Sequence, residues 1–549
     1  MAANQNAQVD TSAIEANDGE SAGPTADLTE LPNDLFLLII SYLSPQEGVL
    51  CRRVSRGWHA AFTSDDVSRN LMRWHFPRAR EMRLSQLAPK QPEWARIFPK
   101  VARRYFHLRS AKPRLIEKID VVQEARQKGL FRAVEPWNRW LRWNDNTATF
   151  QYRNPSWCLD DGLLVYQENV SSHYVVYDLG TRHRFRVPFD KADKTVRRLR
   201  LACGILVIEW CEREPYHQLN DMETVHRHFA TAFTVHRASS SGTSSEASVS
   251  PTIAFYSEWK IHFLGLPLNR HDRFFSAHTA KHYALYVWQP NRSPWGEEDP
   301  LEQLTIWNIS TPSPYRPSTD PTGASKPEPG QGPTAISRFT WRDLEFLGLR
   351  QRHTPALREI LLDDSNVYVH EEEHRWLSGQ HSSLSPPRHH HVRCTGMPIL
   401  GMGPRWFDEC CADGDVHMSF CPRGRTILDG MSPERAPCWR HEEFPYLTVS
   451  DVVDAAARVR IVARQCFMME ALSAFVLPKI SYEGRRQQQQ QEDGEDEDED
   501  EDDDGDGEPE EARFADDMWA QLLARGEIAG DERWVVGEDT EGRITVVRF

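Results

Sequence analysis

The chain has 549 residues, of which 39% are hydrophobic and 27% charged, and its formal net charge is −16. This length exceeds what a single hydrophobic core usually holds, so we expect two or three domains. The acidity is local, because residues 492–511 contain 16 Asp and Glu and no Lys or Arg, which leaves 65 acidic and 65 basic residues elsewhere. A neutral remainder argues against a general nucleic-acid-binding protein, which would need a strongly basic surface.

Two further features concern the cellular compartment. The sequence contains no stretch of 18 apolar residues, and its first 28 residues are polar and acidic. It therefore predicts neither a membrane-spanning helix nor a secretory signal peptide, and no membrane partner. The ten Cys residues are scattered without close paired spacing, as expected for reduced thiols. We expect the protein in the cytoplasm, the nucleus or both.

The first predicted helix follows a leader without apolar periodicity. Residues 1–27 are rich in Ala, Asn, Asp, Glu, Ser and Thr, which predicts disorder. Pro32 and Asp34 suit the first turn of a helix, and Ser44-Pro45 is predicted to stop it. The apolar residues at i, i+3, i+4, i+7 and i+8, which share one helical stripe, are Leu35, Leu38, Ile39, Tyr42 and Leu43.

A second helix is predicted from Leu50, Val54 and Trp58, which recur at i, i+4 and i+8. The two short helices would share one apolar face. A unit of about 45 residues has too small a core to be stable alone, so the remaining apolar surface is most simply explained by a partner protein. The alternative is that both helices pack entirely into the chain's own core.

These residues resemble the F-box family. The family pattern begins Leu-Pro-x-acidic-Leu, continues through Ile and Leu to a Ser-Pro turn, and ends Val-Ser/Cys-Arg-x-Trp. This order occurs here between Leu31 and Trp58. One departure is Gly48, where the family usually has Leu, and we expect it to weaken the start of the second helix or a contact. The match covers roughly 45 of the 549 residues, and so ordered a match is more specific than a single short motif.

The resemblance implies a role in ubiquitin ligation. F-box proteins dock on a Skp-type adaptor, which links them to a cullin, and act as non-catalytic substrate receptors of SCF-type ubiquitin ligases. An alternative is an F-box scaffold or regulator that acts without a cullin. The target protein is not named by the sequence. The positions that the resemblance associates with the adaptor interface, or with the packing behind it, are Leu31, Pro32, Leu35, Ile39, Leu43, Val54 and Trp58.

Residues 66–130 combine Arg and Lys with aromatic side chains and are predicted to form short helices. Their expected role is structural, to fix the angle between the docking helices and the region that follows. The basic and aromatic mixture is only a weak signal for nucleic acid. The aromatic residues are Trp74, Phe76, Trp94, Phe98, Tyr105 and Phe106.

From about residue 135 the apolar pattern changes from helical to alternating, which predicts antiparallel strands. Leu361 to Val369 is read as a hairpin, and a last hairpin near the end of the chain could supply the strand that seals a ring. The predicted strand pairs are 163–166 with 174–179, 204–208 with 231–235, 283–287 with 304–309, and 534–536 with 544–547.

Two of these strands have a similar sequence. Residues 175–179 and 305–309 each read apolar, apolar, aromatic, Asp or Asn, apolar, so that Asp178 and Asn308 could cap a turn. This pattern resembles the outer strands of WD-type propeller blades, although the repeat is degenerate. The sequence therefore predicts a propeller-like domain with an unknown number of blades.

Four inserts interrupt the β region. Each is poor in apolar residues and cannot offset its own ordering entropy, so each is predicted to be a mobile surface loop. Residues 451–472 are ambiguous, but their spacing favours a helix. The four inserts are residues 238–250, 311–335, 378–391 and 487–511.

Two patterns resemble metal-binding motifs, but their context in the sequence argues against a metal site in both cases. His370-Glu371-Glu372-Glu373-His374 matches the H-E-x-x-H motif, which in zinc peptidases requires a helix. Here it follows a predicted strand, where the two His Cα atoms would lie about 13 Å apart. The cysteines lack C-x-x-C spacing, so free thiols are favoured over a zinc site at Cys410, Cys411, His417, Cys421 and Cys438.

The remaining polar segments do not predict chemistry. His389-His390-His391 is expected in a solvated loop. The acidic run could mimic nucleic acid or bind basic proteins, but solvated disorder is the more common state of such runs. We find neither a Gly-rich phosphate loop before a Lys nor a Gly-x-Ser-x-Gly motif, and expect no catalysis, cofactor or metal.

The sequence therefore predicts an α+β multidomain protein, with a helical F-box module before a mainly antiparallel, degenerate propeller-like domain that contains disordered inserts. The predicted regions are a leader at 1–27, the F-box at 28–76, a helical linker at 77–134, the β domain at 135–486 and 513–549, and a Gln-rich and acidic insert at 487–512.

Overall fold

The structure is a computed structural model, and it divides into two compact units between Arg103 and Arg104. No helix of the described residues is long and apolar enough to cross a membrane. The residues that the structure describes are 28–85, 92–122, 156–171, 173–220, 223–237, 252–261, 273–289, 299–328, 330–352, 356–376, 388–401, 406–412, 420–422, 435–437, 447–465, 470–476, 511–523 and 527–549.

The first unit is helical. Its core contains Phe36, Ile40, Phe62, Leu71 and Phe98, all at most 5% exposed, and the rings of Phe36 and Phe62 meet edge to face at 5.5 Å. The elements are two 3₁₀ helices, Leu28–Glu30 and Cys51–Arg53, and the α-helices α1 Asn33–Ile40, α2 Pro45–Leu50, α3 Arg56–Phe62, α4 Asp65–His75, α5 Arg80–Ser85 and α6 Trp94–Arg109, which continues past Arg103.

The predicted second helix is divided, so the expectation of one helix through Leu50, Val54 and Trp58 is wrong. Ser55 has an extended backbone and its side chain accepts a hydrogen bond from the Trp58 N–H, which starts a new helix, α3. Ser and Thr side chains favour such N-cap positions over helix interiors, because they bond the free backbone N–H groups. The first helix also ends earlier than predicted, at Ile40.

The second unit consists mainly of antiparallel strands in six four-stranded sheets. Its described residues also include the helices α7 Trp341–Leu347 and α8 Asp517–Leu522. The first three sheets contain β2 Cys158–Asp160, β3 Leu163–Gln167, β4 Tyr174–Asp178 and β5 Arg184–Arg186; β6 Lys194–Ala202, β7 Ile205–Glu212, β10 His228–His236 and β11 Thr252–Lys260; and β12 Arg273–His278, β13 His282–Gln289, β14 Leu301–Asn308 and β15 Thr334–Phe339.

The other three of the six four-stranded sheets follow here. They contain β16 Leu357–Leu362, β17 Asn366–Trp376, β18 Arg388–Pro398 and β19 Trp406–Ala412; β22 Leu447–Asp454, β23 Val459–Gln465, β24 Glu470–Val476 and β25 Glu511–Arg513; and β26 Ala529–Asp531, β27 Trp534–Glu538, β28 Ile544–Arg548 and β1 Leu115–Ile119. Two short hairpins are β8 His217–Asn220 with β9 Glu223–Val225, and β20 Phe420–Pro422 with β21 Arg435–Pro437.

The sheets are the blades of a six-bladed β-propeller. Their first strands β2, β6, β12 and β16 contact one another in sequence, and β26 contacts both β22 and β2, so these strands lie innermost. The last blade takes its outermost strand, β1, from before the first blade, and Ile119 of β1 pairs with Ile544 of β28. Apolar clusters fill the spaces between neighbouring blades, as with Val165, Leu206 and Phe233 between the first two.

The propeller prediction is confirmed strand by strand. Each predicted pair is an antiparallel pair in the structure: β3 with β4, β7 with β10, β13 with β14, β16 with β17, and β27 with β28. The turn caps are also present, because the Asp178 carboxylate accepts from the Gly180 N–H at 2.8 Å and the Asn308 side chain accepts from the Ser310 N–H at 2.9 Å.

The helix expected at residues 451–472 is wrong, because this segment forms β22, β23 and the start of β24. Val452, Val459 and Ile461 are buried between strands. The turn after β22 is fixed by Asp454, whose carboxylate accepts from the Ala457 N–H at 2.9 Å. Apolar residues at spacings of four and seven fit one helical face, but they also fit two short strands with a turn between them.

The Pro-rich insert is not the loose loop that its composition predicts. Residues 311–328, here named the Pro-rich segment, lie along β11, which is the outer strand of its blade. The Ser313 N–H donates to the Tyr256 carbonyl at 3.1 Å, and the Ser318 N–H donates to the Glu258 carboxylate at 3.0 Å. Bonds to an otherwise open strand edge offset the ordering cost that apolar burial does not cover.

Several predicted segments lie outside the described residues. These are the leader at 1–27 and the inserts at 238–250 and 378–387. The insert predicted at 487–512 lies outside them up to residue 510, whereas Glu511 and Ala512 belong to β25.

Candidate functional site

The helical unit exposes many large apolar side chains. Six of the 17 exposed large hydrophobic residues in the described parts of the chain lie between residues 35 and 54. They are Leu35 (50% exposed), Leu38 (57%), Ile39 (42%), Tyr42 (83%), Leu50 (56%) and Val54 (63%), here named the exposed apolar set. Single exposed hydrophobic residues are normal, but such a concentration marks an interaction surface.

This exposure follows from the sequence of α1. Residues 35–40 are all apolar, so the helix has apolar side chains on every side. Only Phe36 and Ile40, at 5% and 0% exposure, lie in the core. Sequence reasoning missed these two, although their i, i+4 spacing was a signal, because the neighbouring stripe matched the helical period equally well.

The residues assigned by resemblance differ in exposure. Leu35, Ile39, Val54 and Pro32 are exposed. The half-buried ones are Leu31, Leu43 and Trp58. The Trp58 ring stacks on Phe62 at 5.6 Å with an interplanar angle of 17°. The alternative in which both helices pack entirely into the chain's own core does not hold, because α1 and the residues near Val54 leave large apolar side chains in solvent.

Local hydrogen bonds fix the turn between α1 and α2. The Ser44 hydroxyl accepts from the Glu47 N–H at 3.3 Å, and the Glu47 carboxylate accepts from the Ser44 N–H at 2.8 Å. This capping box, with Pro45 in the first turn, starts α2 directly after the apolar run. The backbone hydrogen bond from Ser44 is the main reason that the pKa of Glu47 is lowered.

The charges beside the exposed apolar set are of both signs. Arg53 and Arg56 lie on either side of Val54 in the chain, are exposed, and have no ion-pair partner among the described residues. Asp34 and Glu47 are the nearest acidic residues in the chain and are also exposed. An apolar surface with a charged margin is typical of a protein–protein interface.

Comparison with known families and structures bears on both units. A model of the F-box-like family matches residues 28–73. Residues 28–73 are an F-box-like domain. Comparison with curated proteins finds none that matches the chain.

One solved structure with a related outline is the β-propeller domain of Cps50 (Swd1) from Myceliophteria thermophila, at 10% identity. The alignment covers 72% of this chain and 96% of that chain, with a TM-score of 0.26. So low a score carries no argument, and the propeller assignment rests on the six sheets themselves.

The F-box-like domain has an unusual residue at position 48, and the structure explains it. Gly48 is buried, and a Cβ atom there would stand 3.4 Å from Cζ of Phe98 and 3.5 Å from Cδ1 of Leu71. The Leu that the family usually has would overlap with α4 and α6. The expected weakening of a contact is not seen, and Gly48 instead allows α2 to lie close to these two helices.

The H-E-x-x-H motif lies on β17, and therefore lacks the helix that a zinc peptidase requires. His370 pairs across the strands with Glu359 and Cys394, and its Nδ1 atom lies 3.2 Å from Oε1 of Glu359. Burial lowers the pKa of His370, but hydrogen bonds to Cys394 and Glu359 outweigh it and raise the pKa to about 9. A protonated imidazole has no free nitrogen lone pair, so His370 in this form does not bind a metal ion.

The other metal candidates fall largely outside the described residues. Among those that are described, no three His, Cys, Asp or Glu side chains are placed to hold a metal ion. The prediction of a loop at His389-His390-His391 is wrong, because the backbone of these residues forms part of β18. Cys410 and Cys411 lie on β19 and Cys421 lies on β20, but the structure does not describe their side chains. His417 and Cys438 lie outside the described residues.

Proposed function

We propose that the chain is the substrate-receptor subunit of an SCF-type ubiquitin ligase, acting in the cytoplasm, the nucleus or both. The observation that carries this proposal is the exposed apolar set on an F-box-like domain. F-box-like and propeller domains are typically non-catalytic receptor folds. The F-box-like domain would bind a Skp-type adaptor and through it a cullin, and the propeller would bind a target protein.

The proposed mechanism is tethering. Holding a target near the ubiquitin-transfer machinery converts an encounter in solution into a reaction between parts of one complex, which raises the effective concentration of the target. The chain itself would form and break no covalent bond. Loops at a rim of the propeller are the expected target site, because binding residues concentrate on loops that a rigid scaffold positions.

Adaptor binding tests the proposal directly. The double variant L35A/I39A truncates two exposed side chains and keeps the buried Phe36 and Ile40. It should bind the adaptor at least about 100-fold more weakly, at roughly 1.5 kcal/mol for each side chain. Calorimetry with the full chain and a purified Skp-type adaptor measures this. The matched control is V170A, which truncates a 96% exposed apolar residue of the propeller and should bind like the unmodified chain.

Two outcomes would contradict the proposal. Equal affinity of L35A/I39A and V170A for the adaptor would show that Leu35 and Ile39 are not part of a docking surface. Adaptor-bound chain that never recovers a cullin would instead favour a scaffold or regulator that acts without one. Targets are then sought by proximity labelling under proteasome inhibition, comparing the unmodified chain with L35A/I39A.

A further inference from the structure

Arg52 joins the adaptor-facing part of the helical unit to two helices behind it. From the 3₁₀ helix Cys51–Arg53, its Nη1 donates to the Ala95 carbonyl at 2.8 Å and its Nη2 donates to the Ser68 hydroxyl at 3.1 Å. The guanidinium carbon lies 5.6 Å from the centre of the Phe98 ring. Arg52 is half-buried and burial lowers its pKa, so these directed hydrogen bonds replace part of the hydration of the cation.

The partners of Arg52 are themselves fixed. Ser68 on α4 is fully buried, and its hydroxyl lies 3.5 Å from the carbonyl of Phe62. The Ala95 N–H at the start of α6 donates to the Asp65 carboxylate at 3.0 Å. Both arms of the guanidinium therefore end on groups that do not move freely, and a planar fork loses less entropy in such a geometry than a flexible ammonium would.

The position of Arg52 in the chain gives this contact a consequence for binding. Leu50 and Val54, two residues away on each side, belong to the exposed apolar set and are more than half exposed. Gly48, four residues before, allows α2 to approach Phe98 and Leu71 closely. The family match ends at residue 73, yet Ala95 and Phe98 lie on α6, beyond it.

We propose that Arg52 is a positioning residue for the docking surface, which fixes Leu50 and Val54 by tying their segment to α4 and α6. The docking unit then extends beyond the family match and includes the first turns of α6. The inference rests on the proposed function only for its effect on adaptor affinity, because the ordering of residues 45–56 is a property of the chain alone.

The test is amide hydrogen exchange in the full chain, with R52M, which keeps much of the aliphatic stem and loses both hydrogen bonds. We expect exchange in peptides covering residues 45–56 to become at least tenfold faster, with the propeller peptides unchanged. R53M is the matched control, since Arg53 is exposed and its loss should leave exchange as it was. R52K, which can restore one of the two bonds, should lie between the two.

Adaptor binding separates positioning from direct contact. R52M should weaken adaptor affinity at least fivefold, and saturation with the adaptor should restore slow exchange in residues 45–56. L38A, which removes an exposed contact side chain, should weaken affinity with no change of exchange in the free chain.

Unchanged exchange in R52M would overturn the inference, whatever the adaptor does. Faster exchange without any adaptor binding by the unmodified chain would overturn the proposed function and leave the role of Arg52 in ordering this segment intact.

Discussion

Gly48 lies directly against Phe98, and a Cβ atom added to it would be in ordinary van der Waals contact with that ring. The nearest atoms would be Cζ of Phe98 at 3.4 Å and Cδ1 of Leu71 at 3.5 Å. Aromatic and aliphatic groups from later helices therefore occupy the space beside position 48. The contact makes α2 dependent on residues distant in the sequence.

This relationship predicts opposite effects of two substitutions at Gly48. G48A should stabilise α2 by roughly 0.5–1 kcal/mol, since Ala favours a helix over Gly and its methyl group fits. G48L should destabilise the helical unit by roughly 1–3 kcal/mol through overpacking. Pulse proteolysis with thermolysin, read on peptides of α2, measures both. A G48L chain that resists cleavage as well as G48A would show that the contact with Phe98 does not constrain this position.

The Pro-rich segment should detach from β11 when Glu258 is substituted. This buried carboxylate accepts from the Thr231 hydroxyl and from the Ser318 N–H, both at 3.0 Å. In E258A both donors lose their acceptor, which should cost roughly 1–3 kcal/mol. Hydrogen exchange in residues 311–328 should rise. The control is E328A, which truncates an exposed residue of the same segment; equal exchange in the two variants would argue against the role of Glu258.

Within the second unit, Glu532 should contribute strongly to stability. It lies 3.1 Å from Nη2 of Arg104 and accepts a hydrogen bond from the Tyr105 hydroxyl at 2.5 Å, and its side chain is 1% exposed. E532A should destabilise this unit by roughly 3–5 kcal/mol, because a buried cation loses its counter-charge. The double variant R104M/E532M should recover most of that loss.

The calorimetric control for this buried pair is an exposed one. Glu541 pairs with Arg543 and its side chain is 67% exposed. E541Q should change stability by no more than about 1 kcal/mol. A loss in E532A no greater than that in E541Q would contradict the prediction.

The stability of the propeller should fall between pH 6.5 and pH 9 because of His370. Its pKa is raised to about 9 from 6.5. Proton binding to the folded state therefore adds stability that is complete below pH 6.5 and is lost as the pH rises through 9. Since Glu359 is half-exposed, the effect is on the order of 2 kcal/mol. Thermal unfolding of H370Q should show a smaller pH dependence in this range.

His278 is the matched control for the pH experiment. Burial lowers its pKa to about 4, so it stays neutral in the folded protein between pH 6.5 and 9. H278Q should keep the pH dependence of the unmodified chain over that range. If H370Q keeps it as well, the slope has another origin than the pair of His370 and Glu359.

The sequence predicted those features that depend on neighbouring residues. The alternating strands and the caps at Asp178 and Asn308 could be read directly, because strand faces and turn caps are set by spacings of two or three residues. The ordered pattern from Leu31 to Trp58 likewise located the F-box-like domain.

Features set by distant contacts could not be read in the same way. Every residue at positions 35–40 of α1 is apolar, so only the contact of Phe36 with Phe62 and the burial of Ile40 show which side of the helix faces the core. The Pro-rich segment gains its order from Glu258, about 60 residues earlier. The number of blades depends on which strands pair, and short inner strands such as β2 and β26 carry almost no periodic signal.

The pairing of β1 with β28 has a consequence for how the ring is made. β1 is synthesised before the first blade, but β28, the strand that it pairs with, follows all the other blades in the chain. Its backbone groups must stay unpaired while the intervening sheets form, and contacts between such distant segments form slowly. Completion of the circle is thus a late step of folding, and during synthesis the nascent chain exposes a free strand that a chaperone or a second nascent copy could capture.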